Sequence, residues 1–150
     1  CIISSLAELP IRQDLAVTGS VNQKGEIQAI GGVTHKIEGF FKLCKKRGLT
    51  GKQGVIIPVS NIKDLVLNDE VVNAVKEGIF HIYPITHINE GIELLMSCPA
   101  GEKNEEGEFA AHTVHGKVYE KFNPDMLFEY LGIKPNYDKI KYYLLLDELF

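Results

Sequence analysis

The sequence has no tryptophan and only three cysteines, Cys1, Cys44 and Cys98. Their number is odd, they are widely spaced, and no two of them form a Cys-x-x-Cys pair. This pattern argues against a disulfide framework and against a cysteine-ligated zinc site. A reducing compartment fits it best, and we therefore expect the protein in the cytoplasm.

Long apolar runs are also missing. No stretch approaches the ~20 residues that a membrane-spanning helix needs, and no charged segment precedes a signal-like apolar core. The sequence therefore predicts a soluble protein with no membrane partner. Residues 1–5 (CIISS) do not begin with methionine and lie within an amphipathic pattern, so we expect the chain to be a piece of a longer protein.

A surplus of positive charge is absent as well. The net charge is −4 and the isoelectric point is near 5.7, which argues against a nucleic-acid partner for this segment. The exception is a basic run that reads as a solvated helix face near a helix C-terminus: Lys42, Lys45, Lys46 and Arg47. The sequence contains no glycine-rich phosphate loop, so it predicts no nucleotide site in this segment.

The chain has enough apolar residues for a sizeable core, with 45% hydrophobic and 24% charged residues among 150. Residues 1–9 resemble a helix end stopped by Pro10, and 15–21 and 26–30 resemble a hairpin around the turn 22–25. Further patterns predict helices over 33–47, 71–77 and 89–98, strands over 53–58 and 80–85, and a helical turn over 60–65. Asn68 can cap the helix 71–77, and Gly25 can take a positive φ in the turn 22–25. This alternation predicts an α/β fold with a mixed sheet whose later strands are parallel.

The amino-acid composition of the chain changes after Pro99. We expect residues 1–100 to form one domain and residues 101–150 to form an acidic linker plus a helical C-terminal extension. The linker, residues 101–108, is predicted to be flexible, with a helix near 114–122 after it. The aromatic-rich tail, residues 126–150, is predicted to pack against a neighbouring segment or subunit.

Lys36 is the strongest chemical clue in the sequence. On a helical wheel it falls beside the apolar stripe of the helix 33–47, one turn before Phe40, just after Gly31 and Gly32. Burial and the positive end of the helix dipole would both favour the neutral amine, which can act as a general base. The alternative is a surface lysine whose methylenes cover apolar surface while its ammonium stays in water.

Other polar residues are weaker candidates for a metal site or for acid–base catalysis. His112 and His115 have a spacing that could place two imidazoles on one helical face, but no third metal ligand has suitable spacing, so no metal site is predicted. His35 points to the opposite side of the wheel from Lys36. Asp14 and Glu26 flank the hairpin without an evident acid–base pairing and read as surface charges.

A longer pattern surrounds Lys36. Residues 16–19 (AVTG) and 25–36 (GEIQAIGGVTHK) resemble the Lon protease proteolytic domain, in which a T-G-x strand and a hairpin lead to P-x-G-G-x-x-x-K at the catalytic lysine. Residues 54–58, 61–65, 80–85 and 90–92 are similar to later parts of that domain. Ala29 replaces the commoner proline, a change that we expect to be harmless. The sequences of residues 9–14, 20–25 and 37–41 are similar to those of the bacterial Lon-related ATP-dependent proteases rather than to that of the housekeeping Lon enzyme.

The resemblance implies a peptidase with a serine–lysine dyad. Lys36 corresponds to the general base, and Thr18 corresponds to the strand threonine whose hydroxyl helps to orient the lysine amine. The catalytic serine of the family would lie a few residues before Cys1, outside this chain. Ser4 and Ser5 fall near the far end of the helix that it begins, where packing residues are expected, so the chain by itself is predicted to be inactive.

The resemblance also implies partners and cofactors. The family forms rings of six subunits, and its ATPase module uses ATP with magnesium elsewhere in the full-length protein, so this segment is expected to bind no cofactor. The substrates would be unfolded or damaged proteins, held in an extended form along a strand edge. Two alternatives stay open: an inactive Lon-like ring-forming or binding module, and an unrelated α/β binding module that holds an anion at the turn of Gly31 and Gly32.

Overall fold

The computed structural model describes residues 1–121, which fall in two compact units. One unit is Arg12–Leu95, and the other joins Cys1–Ile11 to the residues from Met96 onward. The elements in chain order are α1 (Ile2–Ala7), β1 (Leu15–Val17), β2 (Ser20–Val21), β3 (Ile27–Gln28), α2 (Val33–Arg47), β4 (Gly54–Pro58), a 3₁₀ helix (Val59–Asp64), α3 (Asp69–Lys76), β5 (His81–Ile85), α4 (Ile88–Met96) and α5 (Val114–Lys121). This alternation confirms the predicted α/β class. The predicted tail, 126–150, lies outside the described residues.

A parallel three-stranded sheet forms the centre of the unit Arg12–Leu95. Its strand order is β1-β4-β5, with Ala16 opposite Val55 and Val55 opposite Ile82. Every residue of β4 is buried, because this strand has a neighbour on both edges and lies beneath helix α2. The continuous apolar run that predicted a buried strand here is confirmed.

The first predicted strand, 15–21, is divided in the structure. Leu15–Val17 joins the parallel sheet, the amide of Thr18 makes a further hydrogen bond to the Ile56 carbonyl at 3.0 Å, and Ser20–Val21 then pairs with β3 in an antiparallel hairpin. The expectation of a single hairpin strand was therefore wrong. The chain changes partner at Gly19, where an added methyl group would lie in ordinary contact with Pro58, 3.5 Å away.

The main core lies between α2, β4, α3 and the residue before β5. Phe80 is fully buried and meets the Phe41 ring edge-on, with ring centroids 5.1 Å apart. The buried members of this core are Val33, Ile37, Phe41, Val55, Ile57, Val71, Ala74 and Phe80. Helix α2 has the bounds that its apolar period and flanking glycines predicted, 33–47. Helix α3 begins where Asn68 Oδ1 accepts the Val71 amide at 3.0 Å, which confirms the predicted cap.

Glu90 caps helix α4 from within its first turn. Its Oε1 accepts the hydroxyl of Thr86 and the amides of Thr86 and His87, at 3.0 and 2.9 Å for the two amides. The Thr86 hydroxyl is the main cause, and these amides a further cause, of a pKa lowered below the usual 4.5 of glutamate. The carboxylate therefore stabilises the fold above pH 4.5 and loses this effect as the pH falls through the lowered pKa.

Replacing Glu90 with glutamine should remove that pH dependence. We expect Glu90→Gln to lower the free energy of unfolding near neutral pH by about 0.3–1 kcal/mol, since the side chain is exposed and its charge lies at a helix N-terminus. Below the lowered pKa the two proteins should converge. Urea unfolding at several pH values measures this, with Glu105→Gln in an exposed loop as the control. An equal loss of stability at every pH would contradict the prediction.

The second unit contains helices α1 and α5. Helix α1 packs against α5, and Glu8 forms an exposed ion pair with Lys121. Residues 101–108, the predicted flexible linker, include a hydrogen-bonded turn in which Asn104 Oδ1 accepts the amides of Glu106 and Glu108 at 3.0 and 2.8 Å. Asparagine side chains stabilise such turns by binding the backbone two residues onward, and the acidic composition hid this signal. None of the helices in residues 1–121 has the length and apolar character to cross a membrane.

Candidate active site

Lys36 lies in the first turn of helix α2. The helix begins at Gly32, which has φ +70°, and the Lys36 amide donates to the Gly32 carbonyl at 3.2 Å. Glycine suits this position because a side chain would strain a left-handed backbone. The first turn contains no acidic residue and its N-cap makes no side-chain hydrogen bond, so the positive end of the helix dipole has no local counter-charge.

The predicted burial of Lys36 is wrong, because the residue is exposed. The buried stripe of α2 is centred on Val33 and Ile37, about 60–100° away from Lys36 on a wheel of 3.6 residues per turn. Lys36 instead shares an edge of the helix with Leu43, which is 43% exposed. The chain's own residues therefore leave the amine accessible to a substrate.

Thr18 lies at the carboxyl end of β1. Its amide extends the parallel pairing by binding the Ile56 carbonyl, and its side chain is half-buried. No hydrogen bond joins the Thr18 hydroxyl to the Lys36 amine among the described residues. Its role as a partner of Lys36 therefore stays a prediction, whereas its place at the strand end follows from the sheet.

The hairpin of β2 and β3, which precedes α2, is hydrogen-bonded to the residues that directly follow β5. The Ile27 amide donates to the Thr86 carbonyl and the Ile88 amide to the Gly25 carbonyl, both at 2.8 Å. His87 Nδ1 accepts the Asn89 amide, so Nε2 carries the hydrogen that binds the Lys24 carbonyl at 3.1 Å. These contacts place the hairpin at the carboxyl edge of the parallel sheet, where α/β proteins commonly bind ligands.

Asn61 holds the residue before the double glycine. In the 3₁₀ helix after β4, its Oδ1 accepts the Ile30 amide and its Nδ2 donates to the Ile30 carbonyl, both at 3.0 Å. Asn61 is 7% exposed, and no buried side-chain nitrogen or oxygen among residues 1–121 lacks a partner. The sequence placed Asn61 only in a polar turn. Its signal was a lone amide three residues after a buried strand.

Two of the other candidate nucleophiles, Ser4 and Cys44, are hydrogen-bonded or buried. The Ser4 hydroxyl donates to the Leu9 carbonyl, next to the residue with φ +53° that ends α1, which is a structural role. Ser5 is exposed on the same helix. Cys44 is buried on the apolar stripe of α2, and burial raises the pKa of its thiol, which disfavours a thiolate nucleophile.

The structure also describes the remaining polar candidates, which are His112, His115, Asp14 and His35. His112 precedes α5, which begins at Val114, so His112 and His115 do not share a helical face as their spacing suggested. Within the described part of the chain, no group of three or more histidine, cysteine, aspartate or glutamate side chains is arranged to hold a metal ion. Asp14 is paired with Arg12 at 2.7 Å, and this hydrogen bond lowers the pKa of its carboxyl. His35 is exposed.

The chain resembles known proteins over most of the described region. The model of the Lon protease (S16) C-terminal proteolytic domain matches residues 1–97. A Lon protease homolog of Haemophilus influenzae is 50% identical over 105 residues, which are 70% of this chain and 18% of that protein. A Lon protease homolog of Escherichia coli K12 is 49% identical over 96 residues, which are 64% and 16%. The archaeal Lon protease of Halobacterium salinarum is 38% identical over 95 residues, which are 63% and 12%.

The matched region contains every element from α1 to α4, including the hairpin, the double glycine and Lys36. The chain spans less than a fifth of the length of these curated relatives. The resemblance deduced from residues 16–19 and 25–36 is confirmed. The chain belongs to the family of the Lon protease C-terminal proteolytic domain.

Proposed function

We propose that this chain is the proteolytic part of an ATP-dependent, Lon-like serine endopeptidase. The observation that carries the proposal is the family match over residues 1–97, within which an accessible lysine follows the double glycine in the first turn of α2. Lys36 is the general base, and Thr18 positions its amine. The nucleophilic serine is contributed by residues upstream of Cys1.

The proposed reaction needs one proton carrier. The neutral Lys36 amine takes the proton of the serine hydroxyl while the oxygen attacks a peptide carbonyl. The resulting ammonium returns this proton to the leaving amine, and water then hydrolyses the acyl-enzyme.

Substrate binding would use the open edge of strand β1. In the described part of the sheet this strand pairs only with β4 and leads directly to Thr18. An extended peptide could add to such an edge by main-chain hydrogen bonds, which require no particular sequence. Unfolded or damaged proteins are therefore the proposed substrates.

The proposal places the other functions of the enzyme outside this chain. ATP and magnesium are used by an ATPase module elsewhere in the full-length protein, and six subunits form a ring. The three cysteines are unpaired, which supports a cytoplasmic location.

Two versions of the protein test this proposal. The chain extended upstream of Cys1 by its natural sequence should hydrolyse an unfolded protein such as casein, whereas the chain from Cys1 to Phe150 should hydrolyse none, because it lacks the nucleophile. Release of labelled peptides measures both. No hydrolysis by the folded, extended protein with its ATPase module would favour the inactive ring-forming or binding module. Hydrolysis by the shorter chain would assign the nucleophile to Ser4, Ser5 or a cysteine.

A further inference from the structure

We propose that Asn61 is a positioning residue that sets the direction of the Lys36 amine by clamping the backbone before the double glycine. The inference rests on the proposed function of Lys36 and adds a residue that acts through it. Asn61 belongs to the 3₁₀ helix after β4, and Lys36 belongs to α2. Ile30 precedes the double glycine that leads into α2, so its two hydrogen bonds to Asn61 link the 3₁₀ helix to the start of α2.

The Asn61 side chain is buried, so its hydrogen bonds to Ile30 are important to the fold. Among the described residues, the buried polar side chains are those of Asn61 and Thr113, at 7% and 5% exposure. A buried amide is costly unless its groups are hydrogen-bonded. Both polar atoms of Asn61 bind one residue, Ile30, at 3.0 Å each. The pair is therefore a closed, two-bond clamp on a single peptide segment.

The segment after the clamp has little other restraint. Gly31 and Gly32 are exposed, and a methyl group built on either would meet no atom within 4 Å other than those of its chain neighbours. Two exposed glycines leave many backbone directions open. The burial of Val33 and Ile37 fixes one side of the α2 start, and the Asn61 clamp at Ile30 fixes the other. The first turn, and with it Lys36, is thus held from both ends.

The chemistry of the clamp requires an amide. Asparagine offers one donor and one acceptor at the same time, whereas an ionised aspartate offers acceptors only. In Asn61→Asp the Ile30 carbonyl would face a carboxylate oxygen, so one bond is lost and a repulsion replaces it. Asn68→Asp is the matched control, since Asn68 uses only its Oδ1 as an acceptor for the Val71 amide.

The first measurement is independent of catalysis. Amide hydrogen exchange of the chain Cys1–Phe150, followed by NMR, should show protection lost in Asn61→Ala, which removes the acceptor of the Ile30 amide. The loss is expected at the Ile30 amide and at the Lys36 amide, which donates to the Gly32 carbonyl. Protection in β4 and α3 should persist. Unchanged protection at Ile30 would overturn the clamp. Equal loss of protection throughout the unit Arg12–Leu95 would reduce Asn61 to a general structural role.

The second measurement uses the chain extended upstream of Cys1. Asn61→Asp should lower kcat about 10- to 100-fold, the range expected when a catalytic group is misplaced by about 1 Å, while KM changes less than about twofold. Asn68→Asp should leave kcat unchanged. A rise in KM with kcat unchanged would overturn the positioning role. If the unsubstituted extended protein hydrolyses nothing, the proposed function fails, while hydrogen exchange still decides whether the clamp exists.

Discussion

Replacing Lys36 with alanine in the chain extended upstream of Cys1 should abolish most hydrolysis of unfolded protein. A positioned general base contributes about 10²–10⁴-fold to a rate, so we expect kcat to fall by that factor. The fold should persist, because Lys36 is exposed and the core of α2 lies on its other side. Steady-state peptide release measures the rate, and circular dichroism checks the fold.

Two companion variants make the Lys36 result specific. Lys36→Arg keeps the positive charge but is protonated at all working pH values, so it should be as inactive as alanine if the residue is a base. Lys42→Ala removes an exposed lysine from the same helix and should retain activity. Substantial turnover by Lys36→Arg would contradict the base and assign the residue an electrostatic role. Full turnover by Lys36→Ala would remove it from the mechanism.

Replacing Phe80 with alanine should destabilise the protein more than any surface change. Phe80 is fully buried, and its ring meets Phe41 at 5.1 Å and Phe40 at 6.3 Å between centroids. Truncating a buried phenylalanine removes apolar contacts and leaves a cavity, which costs about 3–5 kcal/mol. Because α2 packs on this ring, the helix that carries Lys36 depends on it.

Urea unfolding measures the effect of Phe80→Ala. Phe80→Leu keeps most of the volume and should cost less than about 1.5 kcal/mol, so it stays folded even where alanine does not. Val66→Ala is the control, since Val66 is 78% exposed and such changes usually fall within about 0.5 kcal/mol. A loss below about 1 kcal/mol for Phe80→Ala would mean that the core between α2 and β5 does not hold the unit together.

Short-range patterns predicted the elements themselves. The 3.6-residue period and the flanking glycines predicted α2 with its observed bounds, and the apolar run at 53–58 predicted β4. Asn68 and Gly25 were predicted as a helix cap and a turn residue, and both have those roles. Such features depend on neighbours within a few residues, so the local sequence contains the information.

Contacts between distant segments were harder to predict. The division of strand 15–21 depends on β4, which lies some 40 residues onward in the register of Ala16 with Val55. The Asn61 clamp joins positions separated by 31 residues. Neither contact changes the local pattern of polar and apolar residues, because a single Gly19 or a single asparagine is equally compatible with a loop.

For Lys36 the sequence by itself determined the residue type, the position in the first turn of α2 and, through residues 16–19 and 25–36, membership of the Lon proteolytic domain family. Only the tertiary structure decided that the residue is exposed. A helical wheel gives the angle between side chains but not the width of the surface that covers them. Here the covering sheet reaches Val33 and Ile37 and leaves Lys36 outside.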